Sequence, residues 1–269
     1  MLTLWQDLRF AARVLKKNPG FTAVAVLAVA LGVGANTTIF SAVNALMLRP
    51  FSFPNTDRLV MAWERGVDGS FQRGSVSPGN YAEWREQTTA FEQLAAYHPQ
   101  FFNLTEGDQP ERLAGARVTP NLFRVLASRA ERGRTFTDEE GRPGSEGVVL
   151  LRHSLWRERF GADPGIVGRQ VQLNGRPLTV VGVAAPEFHG AEWALGMKFW
   201  APLMIKQHLG GGTNNWINAR GSHWLEVFGR LKPGVTEEQA SAALTSVAAR
   251  LEAEYPEARN KNVRVLVIE

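Results

Sequence analysis

In this 269-residue chain, the side chains best suited by type to catalysis or metal binding are five histidines and one acidic cluster. No pair of histidines has the spacing of HExxH or of another common metal site, so each is predicted to be structural or exposed. The run Asp138–Glu139–Glu140 could supply a general acid and a general base. A helix N-terminus favours carboxylates for its dipole alone, and Thr137 precedes the run, so we assign it to helix capping. The histidines are His98, His153, His189, His208 and His223.

Nucleotide and nucleophile motifs are absent from the sequence. The glycine run Gly210–Gly211–Gly212 is followed by Thr213 and not by lysine, and no GxxxxGK[ST] motif occurs, so ATP hydrolysis would belong to a partner. No serine lies in a G-x-S-x-G elbow. The chain has no cysteine, which excludes disulfides and thiolate metal sites. We therefore predict a protein that is not an enzyme and has no cofactor, no catalytic residue and no metal site.

Aromatic residues are concentrated in one stretch of the chain. Aromatic clusters can form surfaces that bind ligands or partners, but core packing is the favoured interpretation here. The stretch contains Phe188, Trp193, Phe199, Trp200, Trp216 and Trp224.

The elements that position these residues begin with a segment that has no charge between Lys17 and Arg49. A membrane-spanning helix needs about 20 mostly apolar residues. The stretch from Phe21 to Leu48 is longer than this. We predict a cytoplasmic amphipathic segment at residues 1–18, interfacial at the inner leaflet, and a transmembrane helix at residues 19–49.

Two other interpretations of this segment are open. A cleaved signal peptide would use Val33–Gly34–Ala35 as its small-residue cleavage site. Against this, the sequence stays uncharged from Asn36 to Leu48, beyond where the apolar region of a signal peptide should end. A buried helix of a globular protein would need a large surrounding core.

The basic residues of the N-terminal segment set the predicted topology. Arg9, Arg13, Lys16 and Lys17 stand against Asp7, a net +3 of the +4 carried by the whole chain. Lysine and arginine are retained on the cytoplasmic side of a membrane, so residues after about 49 are predicted to be periplasmic. The nearly neutral remainder offers no footprint for nucleic acid.

Small residues recur within the uncharged segment at four-residue spacing. Ala28, Gly32 and Asn36 form one row, and Ala30 and Gly34 form another. Small residues let a neighbouring helix approach closely, and Asn36 could hydrogen-bond across the contact. We predict that these rows pack against other helices in the bilayer.

The rest of the chain predicts an α+β domain with short elements. Asn174–Gly175 between two apolar runs is a strong hairpin signal, and Thr236 with Gln239 forms a capping box. The predicted helices are Pro78–Thr88, Asn121–Leu126, His153–Phe160 and Thr236–Tyr255. The predicted strands are Leu59–Glu64, Phe91–Tyr97, Phe101–Thr105, Arg112–Thr119, Val148–Leu151, Val171–Leu173, Leu178–Val183, Phe199–Leu203, Trp224–Leu231 and Val263–Ile268.

Several long motifs, in order, resemble one family. The opening DLRFAARVLKKNPGFTAVAVLAVALGVGANTTIFSAVNALMLRPF is similar to the first membrane segment of MacB/FtsX-type ABC transporter permeases, closest to the orphan permeases that lack a fused ATPase. SPGNYAEWREQTTAFEQLAAY, ERLAGARVTPNLFRVL, GRTFTDEE and LWRERFGADPGIVGRQVQLNGRPLTVVGV are similar to the family's periplasmic core domain. The resemblance covers nearly the whole chain.

The resemblance implies an inner-membrane permease component with a two-lobed periplasmic domain at residues 50–269. A porter-like lobe of β-α-β units would comprise residues 50–126 and 222–269, and a β-rich lobe at 127–221 would be inserted in it. The implied partners are the lipid bilayer, further permease helices or a second permease copy, and a separate cytoplasmic ABC ATPase. The implied function is to couple ATPase-driven motion to the periplasmic domain.

Two departures from the family pattern affect these expectations. Ala127–Ser128–Arg129–Ala130–Glu131 stands where related sequences usually have a turn with glycine and proline. The sequence also stops at Glu269, before the family's remaining membrane helices, which is expected of an N-terminal fragment. A single-pass anchored periplasmic binding or scaffold protein, or a truncated permease without function, is therefore the alternative.

Overall fold

A computed structural model of the chain describes residues 6, 9–10, 13, 15–43, 56–105, 110–190, 196–208, 216–256 and 263–268. The chain divides into two compact units, Met1–Phe51 and Ser52–Glu269. Each unit is described by itself.

The N-terminal unit contains one long helix, α1, at Pro19–Val43. Asn18 interrupts the helical backbone before it, and Pro19 occupies the first helical position, where a missing N–H leaves no hydrogen bond unmade. The hydroxyl of Thr22 donates to the carbonyls of Leu15, at 2.7 Å, and of Asn18, at 2.9 Å. The predicted continuation to residue 49 lies outside the described residues.

Large apolar side chains of α1 are exposed along its length. Phe21 and Leu31 are each 72% exposed, and Val24, Val26, Leu27, Val29 and Val33 are also exposed. Within the described parts of the chain, no helix meets the combined length and apolarity required to cross a membrane.

The second unit is built on one mixed sheet of ten strands, which confirms the α+β class. The strands are β1 Leu59–Gly66, β2 Phe91–Leu104, β3 Glu111–Val118, β4 Ala130–Gly133, β5 Val148–Leu151, β6 Gln170–Leu173, β7 Arg176–Ala184, β8 Phe199–Pro202, β9 Glu226–Leu231 and β10 Val263–Ile268. The helices of this unit are α2 Pro78–Gln87, α3 Leu122–Val125, α4 His153–Phe160, α5 Ile205–His208 and α6 Glu237–Glu254.

The strand order in the sheet is β10-β1-β9-β2-β3-β8-β5-β7-β4, and β6 pairs with β2 and β7. Among the described strands, β3–β8 and β5–β7 are the parallel pairs, and the others are antiparallel.

Local capping chemistry explains where two of these helices begin. The hydroxyl of Ser77 accepts a hydrogen bond from the backbone N–H of Asn80 at the start of α2. Thr236 and Gln239 exchange side-chain to backbone hydrogen bonds of 3.0 and 3.3 Å at the start of α6. These groups satisfy backbone donors that a helix end leaves free, and both predicted starts are confirmed.

The hairpin between β6 and β7 is also confirmed. Asn174 and Gly175 have φ of 50° and 72°. Positive φ at both central residues is the requirement of a tight primed turn, which matches the twist of the two strands.

The structure joins two predicted strands into one. β2 runs without a break through Pro99, where a gap between strands was expected. β2 pairs with β9 over Phe91–Tyr97 and with β3 over Tyr97–Leu104. Pro99 lies opposite Ala116 of β3, beyond the last residue of β2 that pairs with β9. The missing N–H of proline therefore removes no hydrogen bond to β9.

The loop that follows α3 is stabilised by a Schellman motif. The backbone N–H of Ser128 donates to Phe123 O at 2.8 Å and that of Ala127 donates to Arg124 O at 3.1 Å. Ala127 lies at the C′ position with φ of 51°, where glycine is usual. The chain therefore keeps the turn that its sequence made doubtful, with strain at one alanine.

We predict that Ala127→Gly stabilises the fold. The left-handed conformation costs alanine about 1–2 kcal/mol, and the extra freedom of glycine in the unfolded chain offsets about half of the gain. The free energy of unfolding should rise by about 0.5–1 kcal/mol in urea denaturation. As a control, Ala242→Gly on the exposed face of α6 should lower it by about 1 kcal/mol. A loss of stability in Ala127→Gly would contradict the prediction.

Two hydrophobic clusters lie along the sheet. The first cluster draws on β1, α2, the first half of β2, β9, α6 and β10, and its largest side chain, Trp84 of α2, is 1% exposed. The second cluster draws on the second half of β2, β3, β5, α4, β6, β7 and β8. β2 contributes Phe91, Leu94 and Ala96 to the first cluster and Phe102 and Leu104 to the second.

Candidate functional site

Four of the histidines each have a contact of their own. His98 Nδ1 is 2.9 Å from Trp224 O, His153 Nε2 is 3.3 Å from Glu131, His189 Nδ1 is 2.7 Å from Arg152, and His223 Nε2 is 3.8 Å from Glu64. The His208 side chain is outside the described part. Among the described residues, no group of three metal-ligating side chains could hold an ion.

The acidic cluster forms a short 3-10 helix, Asp138–Gly141, as the capping assignment requires. The Glu140 carboxylate accepts from the backbone N–H of Thr137 at 2.8 Å. It also accepts from Arg134 at 2.7 and 3.1 Å, and this interaction raises the pKa of Arg134. Asp138 pairs with Arg124 at 2.8 Å. The cluster is used for structure at this helix start.

The aromatic stretch divides between two places. Phe188, Phe199 and Trp200 are 1–2% exposed, which agrees with core packing. Trp216 and Trp224 are only half-buried, and their ring centroids are 5.7 Å apart. Trp193 lies outside the described residues.

An aromatic junction of Phe123, Phe136, Phe188 and Trp200 fills the space where α3 meets the sheet. The Phe123 ring centroid is 5.0 Å from Phe188, 5.7 Å from Trp200 and 5.8 Å from Phe136. Phe188 and Trp200 are 4.9 Å apart. Edge-to-face and tilted rings at these distances are favourable beyond the area they bury. The junction thus fixes α3 against β8.

A buried arginine ties the same helix to β9. Arg230, 8% exposed, donates from Nε at 3.0 Å and from Nη2 at 2.6 Å to the carbonyl oxygen of Val125. This carbonyl is at the end of α3, where helix carbonyls lack internal partners and attract cations. α3 is therefore held by the aromatic junction and by Arg230.

Next to α3 is a cleft of about 510 Å³. On its wall, the Tyr81 hydroxyl and the Asn121 amide both donate to Leu94 O, at 3.1 and 2.8 Å. Burial raises the pKa of Tyr81, so its hydroxyl stays a neutral donor. The remaining lining mixes apolar residues such as Met204 with charged ones such as Arg85. Among the lining residues that the structure describes, there is no serine, cysteine, lysine or histidine.

A buried acid lies on β1, in phase with Val60 and Ala62 of the first cluster. Glu64 on β1 is 2% exposed and accepts from Asn80 Nδ2 at 3.0 Å. Burial raises the pKa of Glu64 to about 7, and the bond from Asn80 opposes this only in part. Arg220 continues the network, 3.4 Å from Asn80 Oδ1 and 2.8 Å from Glu83. A carboxyl with this pKa changes charge near neutral pH.

Sequence reasoning did not identify Arg230 or Glu64. The alternation within each strand could have identified both residues. Arg230 is two positions from buried Phe228 and so points to the same face of its strand. Glu64 likewise shares a face with buried Val60 and Ala62. A charged residue in the inward phase of a strand must find a partner inside.

The residues predicted for helix packing lie on α1, which has helical geometry throughout. At about 100° per residue, the Ala28–Gly32–Asn36 row and the Ala30–Gly34 row point about 200° apart, so α1 has two small-residue faces. A Cβ added at Gly32 or Gly34 would meet nothing within 4 Å. Arg9, Arg13, Lys16 and Lys17 are all exposed.

The sequence profile described as the MacB-like periplasmic core domain matches residues 22–247. No curated protein sequence gives a match. Three solved structures share the fold at low identity. The periplasmic region of MacB from Actinobacillus actinomycetemcomitans has a TM-score of 0.59 at 15% identity over 80% of this chain and 92% of that one. A domain of a putative permease protein from Porphyromonas gingivalis has a TM-score of 0.60 at 15% identity, over 81% of this chain and 92% of that one. The extracellular domain of the noncanonic ABC-type transporter YknZ from Gram-positive bacteria has a TM-score of 0.53 at 14% identity, over 78% of this chain and all of that one.

Proposed function

The chain belongs to the family of MacB-like periplasmic core domains, and from this we propose that it is a permease component that carries ATPase-driven motion into a periplasmic body. The family is that of ABC transporter permeases, whose components are typically not enzymes. In this proposal α1 is the moving helix in the inner membrane. Ser52–Glu269 is the body outside it.

The observation that carries the proposal is the continuous sheet. β2 belongs to both hydrophobic clusters, and β-pairing runs from β10 at one end to β4 at the other. The aromatic junction and Arg230 fix α3 to this sheet. A body that transmits displacement must resist internal bending, because motion absorbed inside it does not reach the far side. The two clusters are our assignment for the cores of a porter-like lobe and an inserted lobe.

Membrane placement of α1 rests on its surface. Phe21, Leu27 and Leu31 are large apolar side chains that are all exposed on this one helix. Contact of such a surface with water is unfavourable, and large exposed apolar patches mark contact with membrane or protein. Asn36 and the two small-residue faces favour helix neighbours as well as lipid. These neighbours would be further permease helices or a second copy, with a separate ABC ATPase on the cytoplasmic side.

Carbonate washing of membranes and a periplasm-specific reporter after Glu269 test this placement. We expect the chain to stay in the membrane fraction with an active periplasmic reporter. Release into the wash, or a cytoplasmic reporter signal, would overturn the proposal.

Cysteine crosslinking tests the helix neighbours without background, because the chain has no cysteine. We expect Gly32→Cys and Ala30→Cys to crosslink α1 to a neighbouring helix when both carry cysteines. Leu31→Cys, about 100° from both Ala30 and Gly32, is the control and should crosslink far less. Equal crosslinking at all three positions would show random collision. No crosslink at all would favour an anchored scaffold that works without permease helices.

A further inference from the structure

A buried cation on β3 has no charge partner in the part of the chain that the structure describes. Arg117 is 7% exposed, yet its guanidinium forms no ion pair and its Nε has no hydrogen-bond partner among the residues that the structure describes. Burial lowers the pKa of Arg117 to about 10, which leaves it charged at neutral pH. Buried charges in proteins are normally paired, because desolvation opposes the charged form. The unpaired state of Arg117 therefore requires an explanation.

Two more basic side chains and two indoles lie around Arg117. We call the five residues the basic aromatic cluster: Arg117, Lys206, His98, Trp216 and Trp224. The guanidinium carbon of Arg117 is 4.9 Å from the Trp224 ring centroid. Lys206 Nζ is 5.2 Å from the ring centroid of Trp216 and 5.8 Å from that of Trp224. The His98 ring is 4.9 Å from Trp224, in an edge-on arrangement. The aromatic faces attract the cations and offset part of their desolvation.

Among the residues that the structure describes, no carboxylate offsets the remaining desolvation of these basic groups. The pKa of Lys206 is lowered by burial and then by the charge of Arg117. The pKa of His98 is lowered by burial, then by Arg117 and more weakly by Lys206, against a raising contact with Trp224 O. No carboxylate is among these causes. Residues 209–215, which lead from α5 towards Trp216 in the sequence, include no Asp or Glu.

We propose that the basic aromatic cluster is an anion site that takes a carboxylate group, with Arg117 as the main contact and Lys206 beside it. The planar fork of a guanidinium matches the two oxygens of a carboxylate, and charge-assisted hydrogen bonds of this kind are the strong ones. Lys206, His98 and both indoles are only half-buried, so an incoming group has access. The carboxylate comes from a small free acid or from an acidic peptide segment.

Thermal unfolding of the full chain in detergent, in chloride buffer at constant ionic strength, tests the site. A ligand that binds only the folded state raises the Tm with its concentration. The probes are acetate, with neutral acetamide as its control, and tetraglutamate, with tetraglutamine as its control. We expect both carboxylates to raise the Tm and both neutral controls to leave it unchanged. If the concentration at half of the maximal Tm rise is much lower for tetraglutamate than for acetate, the site takes an acidic peptide segment. If the two concentrations, expressed per carboxylate group, are similar, the site takes a free acid.

Three variants locate the effect. Arg117→Met and Lys206→Met should each raise the half-saturating concentration about tenfold or more, since each removes a charge-assisted contact. Arg112→Met is the matched control, because Arg112 is on the same strand with its guanidinium 4.6 Å from the Phe101 ring, and its response should equal that of the unmodified chain. Arg117→Met should also unfold at a higher Tm without ligand, which a merely structural arginine would not do. If Arg117→Met does not fold, the Lys206→Met comparison decides.

Three results would overturn the proposal. One is no rise in Tm with either carboxylate. The second is an unchanged response in the folded Arg117 and Lys206 variants. The third is a larger response to inorganic phosphate than to acetate at equal concentration, which would exclude a site built for carboxylate.

Discussion

Trp200→Ala is expected to destabilise the unit Ser52–Glu269 by about 3–5 kcal/mol, the range for removing a fully buried large aromatic side chain. Trp200 is 1% exposed on β8, between Ala116 on β3 and Leu150 on β5. Its ring contacts Phe123 and Phe188 in the aromatic junction. The substitution therefore removes packing from the sheet and from α3 together.

Denaturant unfolding followed by tryptophan emission measures this change. Seven of the eight tryptophans lie after residue 52, so the signal reports mainly on the unit Ser52–Glu269. Trp200→Phe should recover most of the loss, because it keeps a ring in the junction. Phe101→Ala is the control for a strand aromatic that is 53% exposed and should change the stability by less than about 1 kcal/mol. A loss in Trp200→Ala no larger than that of Phe101→Ala would show that the junction is not a stabilising element.

Glu64→Gln is expected to remove a pH dependence of about 3 kcal/mol from the stability. The ordinary pKa of glutamate, 4.5, applies to the unfolded chain, and burial raises the folded pKa to about 7. Below pH 4.5 the side chain is protonated in both states. As the pH rises to about 7, the unfolded chain releases this proton and the folded chain retains it, so stability is lost across that window. Each pKa unit corresponds to about 1.4 kcal/mol.

Urea denaturation from pH 4.5 to 8 isolates this contribution as the difference between the two chains. At pH 8 the Glu64→Gln chain should be the more stable, because glutamine still accepts from Asn80 and carries no buried charge. Glu92→Gln is the control, since Glu92 pairs with Arg58 at the surface and should contribute at most about 1 kcal/mol. A Glu64→Gln chain that keeps the slope of the unmodified chain would contradict the buried-acid explanation.

The sequence predicted best what depends on neighbouring residues. Ser77 before Pro78, Thr236 with Gln239, and Asn174–Gly175 each specify their element by contacts within a few positions, and each was confirmed. The aromatic stretch was only partly predicted. Its residues are close in sequence, but the fold sends Trp200 to the core and Trp216 to a half-buried place.

What the sequence did not show depends on strands far apart in the chain. A gap at residues 98–100 was expected between two strands, but β2 continues through it. Proline is tolerated at position 99 because the pairing of β2 with β9 has already ended there. Arg230 meets Val125, 105 positions away, and no local pattern contains that contact. The short strand Ala130–Gly133 was missed because Glu131 and Arg132 are charged and exposed, so no apolar alternation marks it.

The two clusters differ in how soon a growing chain can complete them. The second cluster needs only residues between Phe102 and Ile205, whereas the first needs Val60 at one end and Val267 at the other. Domains form during synthesis as their residues emerge, and distant pairings form late. We therefore expect the second cluster to gain amide protection before the first in pulsed hydrogen exchange. β2 would then wait with one edge open for β9, which makes the interval before β9 arrives the period when this protein is most exposed to aggregation.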